Sequence, residues 1–288
     1  MLKIDSHHHL WRFSDEYAWI GDEMALLRRD FLPEDLAAEM QSADVSGAVA
    51  VQARQTVEET EWLLRLAQPS SPGQPSPIVG VVGWLPIAAE NFPAHLERFA
   101  ADKRLCGLRH VVQAEPDGFL DAPDFNHGID ALTRSGLTYD ILIYARQLPE
   151  AIRFVDQHPQ QSFVLDHIAK PDIRAGALES WGANIRELAQ RAHVACKLSG
   201  MVTETDWLRW TPAELQPYFD VVLEAFSPDR LMAGTDWPVV TVGASYAQWW
   251  RTIEGWISAL SAGEQAQILG LTAARVYGLD LSQISRSS

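Results

Sequence analysis

The stretch LKIDSHHHLW (residues 2–11) begins as a short apolar run and ends in three consecutive histidines. A run of this length and composition is typical of a β-strand that is buried on both faces, and the polar residues mark its end. Similar runs recur along the whole chain. The eight predicted strands are 2–8, 47–53, 78–85, 105–112, 137–143, 162–168, 193–199 and 230–236.

Longer amphipathic segments alternate with these runs, and several begin with a helix-start signal such as Thr211 before Pro212 and Glu214. Eight strand–helix units favour a (β/α)8 barrel, the TIM barrel, over a doubly wound sheet, which typically has about six strands and a glycine-rich first turn. We therefore expect a single α/β domain over residues 1–288. The predicted helices are 33–43, 56–68, 89–102, 121–135, 145–158, 177–192, 211–226 and 244–260.

The composition restricts the partners. The formal net charge of −15 disfavours nucleic acid and anionic membranes, because both repel an acidic surface. No signal peptide and no apolar segment of membrane-spanning length is visible, so a cytoplasmic location is expected by elimination. Cys106 and Cys196 each lie in an apolar run and are expected to be reduced and buried. The oligomeric state stays open.

His7 and His9 lie two residues apart at the end of the first predicted strand. Because side chains alternate along a strand, both imidazoles are expected on one side, with their Cα atoms roughly 6–7 Å apart. In such barrels the C-terminal strand ends face the mouth of the active site. The pair is therefore a candidate for two ligands of one metal, whereas His8 points the other way. Taken alone, the spacing is also compatible with a polar strand end.

Two further strand ends carry metal-binding side chains. His167 follows the strand in SFVLDHIAKP (162–171), and Asp236 follows the strand in RLMAGTDWP (230–238). Imidazole and carboxylate groups together are common ligands of zinc and similar divalent ions. Singly, His167 is compatible with a structural hydrogen bond and Asp236 with a turn cap. Together with the two histidines of the first strand, they predict a metal site at the barrel mouth.

The chain resembles the amidohydrolase superfamily, and within it the metal-dependent hydrolases that include sugar lactonases. The resemblance implies hydrolysis of an aldonolactone such as L-fuconolactone, a small-molecule substrate, by one divalent metal ion, with zinc expected. It would place His7, His9, His167 and Asp236 in the metal and catalytic positions. The matching pieces span residues 4–279 and read IDSHHHLW, RRDFLPEDL, GLRHVV, LDHIAKP, CKLSG, GTDWP and TAARVYGL.

The fourth predicted strand departs from the superfamily pattern. Many members bridge two metals with a carboxylated lysine or a glutamate there, but this strand offers Arg109 and His110 instead. One metal at most is therefore expected, and whether it is essential stays open. Asp236 is the candidate general base, and Arg109 or Lys197 would stabilise the oxyanion. Arg109 as a structural ion-pair partner and Lys197 as a surface lysine are the alternatives.

Six further residues are candidate substrate contacts, because they lie in the long segment after the first strand or at strand ends. Their aromatic faces could stack on a sugar ring, and their polar groups could bind its oxygens. The candidates are Trp11, Trp19, Gln52, Arg54, Trp84 and Tyr144.

Three other functions remain open at this point. An anionic lactone of the pyrone dicarboxylate type would need several convergent cations, for which Arg54, Arg109 and Lys197 are the obvious candidates. A metal-dependent decarboxylase would use a similar site, but would want a second histidine beyond His167. A barrel that binds a sugar acid without turnover would not need a base beside a metal.

Overall fold

The computed structural model describes residues 1–69 and 76–284, and in these the predicted strands form one eight-stranded parallel sheet. Each strand pairs with the next one along the chain, and each lies within its predicted range. The predicted (β/α)8 barrel is therefore confirmed. The strands are β1 Ile4–His8, β2 Gly47–Val51, β3 Ile78–Gly83, β4 Leu105–His110, β5 Thr138–Ile141, β6 Phe163–Leu165, β7 Val194–Leu198 and β8 Leu231–Ala233.

The first and last strands close the barrel beside the predicted site. The backbone amide of Asp236 donates a hydrogen bond to the carbonyl of His7 at 2.8 Å. The amide of His9 donates in turn to the carbonyl of Trp237 at 2.6 Å. The two predicted metal-binding segments are thus joined directly by main-chain bonds.

Helices cover the outside of the sheet in the predicted order. The segment predicted as 145–158 is shorter, because a separate 3₁₀ turn at Ala145–Gln147 precedes the α-helix. Thr211 caps α7 by accepting a hydrogen bond from the amide of Glu214. The helices are α1 Pro33–Ala43, α2 Val57–Leu66, α3 Phe92–Ala100, α4 Pro123–Ser135, α5 Leu148–Gln157, α6 Glu179–Ala189, α7 Pro212–Phe226, α8 Tyr246–Ile257, α9 Ala262–Ala266 and α10 Thr272–Val276. A π-helical turn, Gln267–Leu271, joins the last two.

The apolar core has two parts. The larger part lies between the sheet and the helices, as in other layered α/β domains. The smaller part includes residues from seven strands, such as Ile4, Val49 and Met232, together with Ala273 and Tyr277 of the C-terminal segment. The candidate ligands lie at the C-terminal ends of the strands, so this smaller core packs beneath them.

Three minor expectations concern a loop, the two cysteines and membrane-spanning segments. The loop expected over 70–77 lies mostly outside the described residues. Both cysteines are free and buried, as predicted, and burial raises the pKa of each thiol. Among the described helices, none is long and apolar enough to cross a membrane.

Candidate active site

His7, His9 and Asp236 form a compact buried group at the barrel mouth. Nε2 of His7 lies 3.2 Å from Nε2 of His9, and the latter lies 3.2 Å from Oδ1 of Asp236. Nε2 of His7 is 3.7 Å from the same carboxylate oxygen. The other nitrogen of His9 is 2.8 Å from the carbonyl oxygen of Val51, which fixes the ring. The three side chains thus direct two nitrogens and one oxygen at a common point.

His167 lies beside this group because of an unusual turn at the end of β6. The residues His167, Ile168, Ala169 and Lys170 all have positive φ, between 46° and 62°. Each such residue costs of order 1–2 kcal/mol, and the hydrogen bond from the indole of Trp181 to the Ile168 carbonyl holds the turn in place. The turn places Nε2 of His167 4.0 Å from Oδ1 of Asp236.

The imidazole of His167 is held by the two residues that follow β7. Its Nδ1 lies 2.9 Å from the hydroxyl of Ser199. Gly200, with φ of 63°, packs so closely that an added Cβ would lie 2.6 Å from the ring. His8 is buried but belongs to neither group of candidate ligands in the described part of the chain. His7, His9, His167 and Asp236 are therefore brought together, and His8 is not.

A layer of buried charge lies directly below these ligands. The ammonium of Lys197 is 2.6 Å from Asp140 and 3.0 Å from Asp166. Arg109 is 3.0 Å from the other oxygen of Asp166, and its Nη1 is 3.3 Å from Nε2 of His7. Lys197 is fully buried inside the barrel, so the alternative of a surface lysine is wrong.

The carboxylate of Asp140 connects this layer to the C-terminal segment. The hydroxyl of Tyr277, just after α10, donates to Asp140 at 2.7 Å. Burial raises the pKa of Asp140, although Lys197 opposes the shift. Burial would likewise raise the pKa of Asp166, but Lys197 and His7 outweigh it and hold that pKa well below its usual value. The ammonium of Lys197 therefore pairs with two carboxylates whose pKa values are shifted in opposite directions.

The pKa shifts of His7, His167 and Asp236 suit metal binding and base catalysis. Burial, together with the charge of Lys197, lowers the pKa of His7 well below its ordinary value. Burial also lowers the pKa of His167, to about 4, so both rings are neutral at pH 7. For Asp236, burial would raise the pKa, but the neighbouring imidazoles His167 and His9 outweigh it and the net shift is downward. The site thus combines the neutral imidazoles of His7 and His167 with an ionised carboxylate.

The donor set fits one divalent cation. The ligand atoms of His7, His9 and Asp236 all lie within 4.8 Å of one another, as do those of His7, Asp166 and His167. The first group is the better candidate for the metal site, because the carboxylate of Asp166 already forms ion pairs with Lys197 and Arg109. Two imidazoles and a carboxylate are a usual ligand set for zinc, which binds deprotonated ligands.

A cavity of about 390 Å³ opens above this group. His9, Arg109, His167 and Asp236 form part of its wall, which is also lined by apolar residues such as Leu142. A larger depression of about 690 Å³ lies outside the barrel along α3 and α4, remote from the candidate ligands. The smaller cavity is the candidate binding site, because concave sites with convergent polar groups are typical of small-molecule binding.

The six predicted substrate contacts are placed differently from one another. Trp19, which is 44% exposed, lines the cavity and packs edge-on against Trp11. Trp11 is fully buried and donates to the carbonyl of Arg29, so it supports the loop that carries Trp19. Gln52 is buried, and its main-chain carbonyl accepts a hydrogen bond from the guanidinium of Arg109.

Like Trp11 and Gln52, the remaining three candidates are not among the residues found to line the cavity. Arg54 pairs with Glu16 of the first loop and lies over the ring of Tyr17. Trp84 donates to Nδ1 of His110 at 3.2 Å. Tyr144 is 39% exposed, and the ammonium of Lys170 lies 5.8 Å from its ring centre.

Several residues at the site were not predicted from the sequence. Asp140 and Asp166 interrupt apolar strands as single charges, a pattern that could have marked them as inward-facing. Gln55, Gln113 and Lys170 line the cavity from loops. Their positions carry no periodic signal, because they follow the strands rather than belong to them.

Comparison with known proteins agrees with this architecture. The model of the amidohydrolase family matches residues 4–279. An L-fucono-1,5-lactonase from Burkholderia multivorans is 41% identical, with 96% of this chain and 96% of the relative covered. A second L-fucono-1,5-lactonase, from Burkholderia ambifaria, is 32% identical, with coverage of 97% and 96%.

A solved structure is similar over nearly the whole chain. The crystal structure of an amidohydrolase from Burkholderia multivorans with bound zinc superposes with a TM-score of 0.92 at 40% identity. The match covers 97% of this chain and 100% of that one. With a family match of this extent and relatives of this identity, the chain belongs to the amidohydrolase family.

Proposed function

We propose that the protein hydrolyses a sugar lactone, an aldonolactone such as L-fuconolactone, to the corresponding sugar acid. The observation that carries the proposal is the ionised carboxylate of Asp236, placed at the wall of a cavity beside three imidazoles. The relatives from both Burkholderia species are named L-fucono-1,5-lactonases, which supports the substrate class.

His7, His9 and Asp236 would hold one divalent metal ion, and His167 lies next to them. Zinc is the proposed ion, since two imidazoles and a carboxylate suit it and the similar crystal structure contains it. When bound, such an ion would polarise the lactone carbonyl and lower the pKa of a water molecule toward about 7.

Asp236 is the proposed general base and acid. Its carboxylate takes a proton from water, whose oxygen forms a bond to the lactone carbonyl carbon. The bond between that carbon and the ring oxygen then breaks, and Asp236 returns the proton to the departing oxygen. The product is an open-chain hydroxy acid. Because the pKa of Asp236 is held below its usual value, the carboxylate is ready to accept a proton at neutral pH.

Arg109 is the proposed stabiliser of the negative charge that develops on the carbonyl oxygen. It lines the cavity, and its pairing with Asp166 at 3.0 Å fixes the guanidinium in place. Lys197, the other candidate, contacts His7, Asp140 and Asp166 below the cavity. We assign it a positioning role, because it supports the ring of His7 rather than the substrate.

The charges around the cavity favour a neutral substrate. Of the three strand-end cations considered for a dicarboxylate, only Arg109 lines the cavity, together with Lys170 of the β6 turn. Arg54 is paired with Glu16 and Lys197 with two carboxylates. The exposed indole of Trp19 offers a face on which a sugar ring could stack.

A lactone panel tests the proposal directly. Acid release from hydroxylated 1,4- and 1,5-lactones is followed with a pH indicator, with and without a chelator. We expect turnover of sugar lactones, and none of a pyrone dicarboxylate. Release of carbon dioxide from an aromatic acid would instead indicate a decarboxylase. Thermal stabilisation by sugar acids without any turnover would indicate a binding protein, and either result would refute the proposal.

A further inference from the structure

Two glutamines line the cavity on loops that follow different strands. Gln55 lies after β2 and Gln113 lies after β4. The side-chain carbonyl oxygen of Gln113 is buried and has no hydrogen-bond partner within the described ranges 1–69 and 76–284. A buried carbonyl that lacks a partner lowers stability, so such an atom on a residue that lines a cavity is a candidate for binding a ligand.

Gln55 is oriented by a bond to the neighbouring loop. Its Oε1 accepts a hydrogen bond from the amide of Val111 at 2.8 Å. An amide side chain has one acceptor end and one donor end, so this bond leaves the NH₂ group as the free end. Since Val111 is two residues before Gln113, the same bond ties the two glutamine-bearing loops together.

The backbone around Gln113 is held on both sides. Its amide donates to the carbonyl of Leu142 at 2.9 Å, and the side chain of Gln147 donates to the carbonyl of Val112 at 3.0 Å. A side chain that extends from a backbone fixed in this way loses little freedom when it binds a ligand. Gln113 is therefore presented to the cavity by a preorganised segment.

The NH₂ group of Gln55 and the side-chain carbonyl of Gln113 have complementary hydrogen-bonding properties. Gln55 offers a donor and Gln113 an acceptor, and a hydroxyl group can satisfy either one. The proposed chemistry at Asp236 and Arg109 requires neither amide. Hydroxyls of the lactone ring are thus the groups that would satisfy this pair.

We infer that Gln55 and Gln113 are specificity-determining residues that recognise ring hydroxyls of the lactone. This inference rests on the proposed lactonase function. Gln113 accepts a hydrogen bond from one hydroxyl, and Gln55 donates one to the same or an adjacent hydroxyl. A site built for hydroxyls discriminates against a ring that lacks them, because its polar groups then stay unpaired.

The Gln113→Leu variant separates recognition from chemistry. It is assayed on L-fucono-1,5-lactone and on δ-valerolactone, which has the same ring size without hydroxyls. We expect kcat/KM to fall about ten- to a hundredfold for the sugar lactone and to stay within about twofold for δ-valerolactone. Because the replaced carbonyl has no partner, the melting temperature should be equal to that of the wild type or higher.

Gln55→Glu provides a second, conservative variant. It keeps an acceptor for the amide of Val111, so the loop connection is retained, and it replaces the donor end by a charged acceptor, which cannot donate a hydrogen bond to the ring. The same loss of preference for the hydroxylated ring is expected. Gln190→Leu, at the exposed end of α6 before β7, is the matched control and should behave as the wild type on both lactones.

The outcomes distinguish this inference from the proposed function. Wild-type protein that hydrolyses neither lactone would refute the proposed function, and the inference would fail with it. If the wild type is active and Gln113→Leu lowers kcat/KM equally on both lactones, or on neither, hydroxyl recognition by this pair is wrong. A selective loss on the hydroxylated ring in both variants would support it.

Discussion

The ammonium of Lys197 lies 3.2 Å from Nδ1 of His7, while Nε2 of the same ring faces His9 and Asp236. A buried cation on β7 therefore contacts a candidate metal ligand on β1, on the side remote from the cavity. Lys197 also pairs with Asp140 and with Asp166. Because all these groups are buried, the orientation of His7 depends on a balance of charges inside the barrel.

Replacing this lysine should weaken the fold. Lys197→Met fills a similar volume but leaves the carboxylates of Asp140 and Asp166 without their shared cation. Removing one partner of a buried charge network typically costs about 3–5 kcal/mol, so we expect a loss of that order in the free energy of unfolding. Denaturant titration measures it. Lys103→Met, at an exposed position before β4, is the control, and an equal effect of both variants would contradict the prediction.

Asp236→Asn should remove turnover without unfolding the protein. The amide cannot accept a proton, so kcat on a sugar lactone should fall about a hundredfold or more. The melting temperature of the metal-free variant should equal that of the metal-free wild type, since the main-chain bond from residue 236 to the carbonyl of His7 is retained. Asp15→Asn, at an exposed position in the first loop, should keep full activity. Near-normal kcat in Asp236→Asn would exclude the residue as the base.

Gly200→Ala should disturb His167 specifically. The added Cβ would lie 2.6 Å from the imidazole, and the φ of 63° is unfavourable for alanine. We expect a loss of about 1–3 kcal/mol in stability together with reduced kcat, measured by thermal unfolding and lactone hydrolysis. Gly255→Ala on α8 meets nothing within 4 Å and should instead stabilise by about 0.5–1 kcal/mol. Equal behaviour of both variants would show that Gly200 does not position the ring.

The metal ligands can be tested by metal content rather than by activity. We expect the purified protein to contain close to one equivalent of zinc by elemental analysis, and chelator dialysis to remove it and lower the melting temperature. His7→Asn and His9→Asn should each lower the zinc content several-fold. His127→Asn, exposed on α4, is the control. Full zinc content in both variants would rule out these two residues as ligands.

The buried carboxyl of Glu59 should make stability depend on pH. Its side chain is 1% exposed, and burial raises its pKa from 4.5 to about 7, although bonds from the amides of Arg54 and Ala53 oppose the shift. Because its pKa is raised in the folded state, this carboxyl makes its full contribution to the free energy of unfolding below pH 4.5. The contribution is lost as the pH rises through about 7.

The variant Glu59→Gln does not titrate, so it should escape this loss. Relative to the wild type, its free energy of unfolding should increase by about 2–3 kcal/mol between pH 5 and pH 8. Denaturant titrations at the two pH values measure the change. Glu58→Gln, exposed in the same helical turn, should follow the wild type. A constant difference between Glu59→Gln and wild type would mean that the carboxyl is not destabilised by burial.

The strand ends explain why much of the site could be predicted. His7, His9, His167 and Asp236 each follow or end a recognisable apolar run, and parallel strands bring their C-terminal ends to one mouth. The residues that line the cavity were harder to predict, because loop residues have no periodicity. Trp19 was among the predicted residues and lines the cavity, whereas Gln55, Gln113 and Lys170 line it but were not predicted.

The sequence alone determined the order of strands and helices, the barrel class and four side chains at its mouth, because alternation and strand ends are local patterns. Tertiary structure decided which groups meet inside the barrel. Lys197 contacts His7 across 190 residues of chain, and Tyr277 contacts Asp140 across 137. The tertiary structure also determines the left-handed turn that orients His167. Such contacts depend on packing between distant segments, which no local pattern of residues specifies.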